Sequence, residues 1–144
     1  MNVVVAVDFS EVTRRILEVV LALSDGRAMR LYLIHAAAPD PAFIGWEAGP
    51  EVVRKQVATD LRREHRDVET LAAELRDAGR DVTALCVQGP TIDSILAQAQ
   101  QLQAELIVVG SHGHGATYDL LVGSISSGII RGSKVPVLVV PARN

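Results

Sequence analysis

Five short runs of β-branched and apolar residues, at 2–7, 29–36, 81–87, 105–109 and 135–140, alternate along the chain with four stretches whose apolar residues recur at helical spacing. Strict β-α-β alternation restricts a chain to a parallel sheet, joined by right-handed crossovers and covered by helices on both faces. Apolar residues make up 49% of the chain and aromatics only 3%, so the core has to be built from Val, Leu, Ile and Ala. With 144 residues, the chain is about the length of one domain, which buries roughly 68–70% of its unfolded surface on folding. No internal repeat or linker breaks the pattern, and residues 1–144 read as a single α/β domain.

Each helical stretch carries its own boundary signals. Ser10 offers an N-cap for a first helix with Val12, Ile16, Val20 and Leu23 on one face and Gly26 as its stop. A long amphipathic helix is predicted over 51–78, with Val53, Val57, Leu61, Val68, Leu71 and Leu75 on one stripe. Its charge run from Arg62 to Glu69, with Arg63, Arg66 and Asp67, reads as a solvated face. Pro90 suits the start of a third helix whose apolar face is Ile92, Ile95, Leu96, Ala99 and Leu102. A last helix over 124–131 is expected to bury Ile125 and Ile129. The longest irregular connection, 37–50, holds Phe43 and Trp46; a lid over a ligand and a solvent-facing excursion are both open readings.

The fourth strand run ends on a glycine cluster, Gly110, Gly113 and Gly115, followed by Gly123-Ser124. Glycine removes the Cβ that would hold a ligand off the backbone, so amides at such a turn and at the following helix start can cradle phosphate. Ligands of open parallel sheets sit at the carboxyl ends of the strands, where the strand order reverses. With the order 3-2-1-4-5, Asp8 and Gly110 meet at that point; with 2-1-3-4-5, Asp8 would face Gln88 and Gly89 instead. Glycines are superfluous away from a ligand, which favours the first order. Amides around Gly110 and Gly113 would then hold one part of a polyphosphate, and those of Gly123 and Ser124, with the Ser124 hydroxyl, another. The Gly-Lys-Ser/Thr ending of a P-loop is absent, and a dinucleotide fingerprint would follow the first strand.

Gly110, Gly113, Gly123 and Ser124 are spaced Gly-x2-Gly-x9-Gly-Ser, and on these residues the chain resembles the universal stress protein family, in its ATP-binding branch. The resemblance covers nearly the whole chain. It implies an open five-stranded parallel sheet of order 3-2-1-4-5 with helices on both faces, a Rossmann-like fold of the adenine nucleotide alpha hydrolase-like kind. It also implies that the chain binds ATP, with or without Mg²⁺, and works as a homodimer in stress adaptation. By the same resemblance Asp8 lines the pocket near the base and ribose or the metal, Ala36 and Val109 wall the adenine, and Ile125 flanks the phosphates. These are contact residues, not catalytic ones. In the family the last strand pairs across a two-fold axis; here that is 135–140, with Pro136 and Pro141 limiting the register.

Many members carry Arg or Lys beside these glycines, whereas this chain has His112 and His114, with Asp119 adding a negative charge. A free imidazole titrates near ~6.5, so histidine protonation would supply the missing charge, and ATP affinity is expected to rise between about pH 8 and about pH 6. A titration at both values, with folding intact, checks this.

Other classes fit poorly. A net charge of −3 leaves no electrostatic footprint for nucleic acid. The single cysteine, Cys86, cannot form an internal disulfide, favours a reducing compartment and reads as a core thiol. No apolar run reaches the ~20 residues of a membrane span, and Met1-Asn2 leads straight into a strand, so a cytoplasmic protein is expected. Ser111-His112-Gly113-His114 differs by one residue in spacing from the His-x-Gly-His motif of nucleotidyl transferases, which belongs after the first strand. A metal site from His112, His114 and Cys86 would need strands three and four to be neighbours. No lysine stands near the loop, and Asp8 is its only placed general base. Slow hydrolysis aided by Mg²⁺ and oriented amides stays open. So do an adenylate-type transferase and a nucleotide-free interaction module working through the sheet edge and the Phe43-Trp46 segment.

Overall fold

The computed structural model describes residues 1–37, 50–112 and 122–142. Nine elements alternate: β1 (Asn2–Ala6), α1 (Glu11–Ser24), β2 (Arg30–Ala37), α2 (Pro50–Asp77), β3 (Asp81–Gln88), α3 (Thr91–Gln101), β4 (Leu106–Gly110), α4 (Ser124–Gly132) and β5 (Val137–Val140). All strand pairs are parallel, in the order β3-β2-β1-β4-β5. Of the two orders the sequence allowed, the sheet takes the one that makes β1 and β4 neighbours, with Val5 opposite Val108.

Because successive side chains of a strand point to opposite faces, the sheet splits the core in two. On one face Val3, Val5, Leu31, Leu33, Val82, Ala84 and Val108 pack with Val12, Ile16, Leu17 and Val20 of α1 and Val68, Ala72 and Leu75 of α2. On the other, Val4, Ile34, Ile107 and Val109 pack with Ile95 and Ala99 of α3 and Ile129 of α4. The three central strands are buried on both sides, which is why they read as unbroken apolar runs.

Most boundaries agree with the sequence within a residue or two, and the differences have local causes. Ser10 stands at the N-cap position of α1 but makes no capping bond. Its hydroxyl donates instead to the Asp8 carboxylate. Pro90 is the residue before α3 rather than its first, and the Pro90 carbonyl accepts from the Ser94 amide. β5 begins only at Val137, since Pro136 has no amide to give; its carbonyl still accepts from Ile107 at 3.0 Å. Gly79, at φ +79°, ends α2 with the Arg80 amide turned back to the Leu75 carbonyl.

Two expectations about helix faces need correction. Ile129 is buried as expected, but Ile125 is 42% exposed. Ser126 takes the inward position, because its hydroxyl donates to the Gly110 carbonyl and turns that side of α4 toward β4. In α1, Leu17 joins the buried stripe while Leu23 is only half-buried.

Candidate functional site at the carboxyl ends of β1 and β4

β1 and β4 leave the sheet side by side, and the chain turns sharply at both ends. After β4 the Ser111 amide donates to Val140 at 2.7 Å, which carries the β4–β5 ladder one residue further. The Ser111 carbonyl then accepts from the Gly123 amide at 2.6 Å, so the chain returns to the tip of β4 before starting α4. A Cβ on Gly123 would lie 3.1 Å from that carbonyl oxygen, and one on Gly110 would lie 2.5 Å from Val12 Cγ1. Both glycines are there for close approach; neither has a positive φ.

The Gly123 amide is therefore spent within the protein and is not free to hold a phosphate, contrary to the sequence reading. The open donors come next in the chain. Ser127 is the first residue of α4 whose amide reaches back, to Gly123 at 2.9 Å. The amides of Ser124, Ile125 and Ser126 precede it and have no intrahelical acceptor, as at any helix start. Ser124 and Ile125 are exposed around them. Three such amides at the positive end of a helix form an anion cradle.

Asp8 stands two residues past the end of β1, on that strand's side of the switch point. Its carboxylate accepts from the amide and the hydroxyl of Ser10, which closes a local turn before α1. Ala36 lies near the end of β2, and Val109 is buried within β4. The fold thus brings Asp8, Gly110, Gly123, Ser124 and Ile125 to one end of the sheet, with Ala36 one strand away. Gly113, with His114, Gly115 and Asp119, lies outside the described residues, as do Phe43 and Trp46. His112 hydrogen-bonds through Nδ1 to the Ser111 hydroxyl at 2.9 Å, and that hydroxyl also accepts from the Ala142 amide at 3.0 Å.

Three residues supporting the β1 end were missed from the sequence. Phe9 has φ 58°, a left-handed conformation that a bulky side chain adopts only under constraint. Its ring rests on His35, with centroids 4.6 Å apart. His35 Nδ1 lies 3.0 Å from the Val7 carbonyl, and Nε2 lies 3.4 Å from Glu64 of α2, within ion-pair reach but without hydrogen-bond alignment. Glu64 falls on the helical stripe that runs through Leu61 and Val68, and a carboxylate on an apolar stripe was the signal that a buried partner existed.

Cys86, opposite His35 in the β2–β3 register, is half-buried rather than a closed core thiol. Burial, and then the nearby Glu64 carboxylate, push its thiol above the ordinary range. Among the described residues no group of three or more metal-ligating side chains is placed to hold a metal, and no helix is long and apolar enough to cross a membrane.

Comparison with known proteins agrees with this geometry. The model of the universal stress protein family matches residues 1–141. A universal stress protein of Thermus aquaticus is 31% identical over 139 residues, covering 96% of this chain and 97% of that protein. The solved structure of MJ0577, a universal stress protein of Methanocaldococcus jannaschii, superposes with a TM-score of 0.85 at 27% identity, over 99% of this chain and 96% of that one. A universal stress protein of Archaeoglobus fulgidus solved with dAMP shares the fold at a TM-score of 0.64 and 20% identity, over 96% of each chain. On the whole-chain family match, and on the five-stranded sheet that goes with it, this chain belongs to the universal stress protein family.

Proposed function

We propose that the protein binds an adenine nucleotide, ATP with or without Mg²⁺, across the ends of β1 and β4, and that it acts through binding in a stress-response or signalling role. The observation that carries this reading is the return of the chain from Gly123 to the tip of β4, which aims the first-turn amides of α4 at the switch point. The phosphates would lie on the amides of Ser124, Ile125 and Ser126, with the Ser124 hydroxyl beside them, while Gly110 would hold α1 close against the end of β4. Asp8 would reach the ribose or a bound Mg²⁺ by giving up its bonds to Ser10, and Ala36 and Val109 would wall the base. Gly113 would add a further amide. The dAMP held by the Archaeoglobus protein of the same fold supports the adenine nucleotide class.

Mass spectrometry of the small molecules released on denaturing the purified protein, joined to a Mg-ATP titration of wild type and Gly123→Val, tests the reading. The valine is compatible with the local backbone, φ −70°, yet its side chain enters the turn against the Ser111 carbonyl. We expect about a 100-fold loss of affinity, or ~2.7 kcal/mol, in a variant that still melts cooperatively. Equal binding by the two proteins, or no binding by wild type, would remove this site from consideration.

The proposal extends to a homodimer through β5. Among the described residues this strand pairs only with β4, its residues Val137 to Val139 are half-buried, and Ile130 of α4 is 45% exposed. An apolar sheet edge is a liability unless it is covered. Light scattering at micromolar concentration is expected to give twice the chain mass of 15.4 kDa. A monomer would count against the pairing.

A further inference from the structure

The charged face of α2 does more than meet solvent. Arg62, His65 and Arg66 are exposed, yet together they rim an open cavity of about 520 Å³ whose other walls are Thr59 and Leu61 of the same helix and Cys86 and Gln88 at the carboxyl end of β3. That volume lies in the range of small-molecule pockets, ~300–1,000 Å³. From the glycine turn after β4 it is three strand spacings away, roughly 14 Å.

The cations on this rim are not compensated. Arg62 and Arg66 are i and i+4 on one helix face, a like-charge pair that opposes folding unless something lies between them. Three of the four neighbouring carboxylates are engaged elsewhere, the fourth being the exposed Asp67. Asp60 pairs with Arg63, Glu69 pairs with Arg76, and Glu64 is turned inward to His35. Among the described residues, Arg62 reaches only the Thr59 hydroxyl, at 3.5 Å, and neither it nor Arg66 forms a salt bridge. In a chain of net charge −3, two guanidiniums gathered over Leu61 and Cys86 are a local reversal of sign. Burial, and then the Glu64 carboxylate, hold the Cys86 thiol above its ordinary range. It offers the cavity a polarizable wall.

We propose that this cavity is a second ligand site, which takes a small amphiphilic anion: a carboxylate carried on an apolar body. The body would lie on Leu61 and Cys86, the carboxylate between Arg62 and Arg66, and Gln88 would meet any polar group at the strand end. The inference does not depend on the nucleotide reading and stands or falls by its own test.

Cys86 is the chain's only cysteine, so its alkylation by iodoacetamide reports on the cavity without ambiguity. The full chain is alkylated with and without octanoate and followed by intact mass. With octanoate at about ten times its dissociation constant the rate is expected to fall roughly tenfold, because only the free form reacts. The Arg62→Ala/Arg66→Ala double variant is expected to lose that protection. Arg54→Ala/Arg63→Ala, which removes the same charge from α2 away from the cavity, is expected to keep it. Lack of protection in wild type, or equal protection of the Arg62/Arg66 variant, overturns the proposal. Octanol protecting as well as octanoate would mean an apolar pocket without anion recognition. Inorganic phosphate doing so would mean a bare anion site, and Mg-ATP doing so would mean that the cavity belongs to the nucleotide site. Each of these also overturns it.

Discussion

Leu33→Ala is expected to lower unfolding free energy by about 2–5 kcal/mol. Leu33 is completely buried in the middle of β2, with Val5 opposite it on β1 and Ala84 on β3. Its side chain belongs to the cluster that joins the sheet to α1 and α2, where neighbours on rigid strands cannot collapse into the space left by a truncation. The upper part of the range is therefore the better expectation. Since domains are typically stable by only about 5–15 kcal/mol, one such change removes a large share. At about 2–4 °C per kcal/mol, or somewhat more for a chain this short, thermal melts should show a drop on the order of 10 °C. Val52→Ala, at a position 66% exposed, is the control and should change stability by no more than about 0.5 kcal/mol. A loss below about 1 kcal/mol for Leu33→Ala would mean that β2 is not packed as tightly between β1, β3 and the two helices as its burial indicates.

Gly110→Val is expected to damage both stability and the turn after β4. The added Cβ would stand 2.5 Å from Val12 Cγ1, 3.2 Å from its Cγ2 and 3.3 Å from the His112 carbonyl oxygen. Val12 cannot swing aside easily, being short, branched and 4% exposed in the first turn of α1. Overpacking of this kind commonly costs about 1–3 kcal/mol, and two further methyls place valine at the upper end. The relief available is a shift of α1 away from β4 or a rearrangement at His112, and either disturbs the turn after β4. Urea unfolding and a Mg-ATP titration of one preparation separate the two effects. Gly110→Ala, with the same Cβ but without the two γ-methyls, should show a smaller loss of stability. A valine variant as stable as wild type would show that α1 does not pack this closely on the end of β4.

Much of the fold was legible because the strands of a doubly covered parallel sheet carry their burial in their composition. Residues 2–7 and 105–109 could hardly be anything but central strands, and the glycines after the fourth run selected the strand order that the sheet has. The family followed from four spaced residues and holds over the whole chain. What the sequence hid was which hydrogen-bonding groups consume one another. Gly123 marked the turn correctly, but its amide is engaged by Ser111, and the open donors begin one residue later. Ser10 marked the start of α1, but its hydroxyl serves Asp8. Ile125 looked like a core residue by helical spacing, and a serine holding a strand-end carbonyl displaced it. Motif spacing sees residue types, whereas these outcomes depend on competition between acceptors a few ångströms apart. The Phe9 and His35 contact was similarly hidden, since nothing in an Asp-Phe-Ser turn announces a left-handed phenylalanine.

The 28-residue α2 is anchored at one end only. Val68, Ala72 and Leu75 in its last three turns are fully buried, whereas over 50–67 no described side chain is. A helix held in this way does not open as a unit. Its first half should exchange amide protons with solvent through local fraying, at a free energy far below that of global unfolding, while the turns around Val68 to Leu75 should exchange only when the whole domain unfolds. The chain thus carries a built-in gradient of protection along one element, with Glu64 and His35 near the point where the helix passes from loose to fixed.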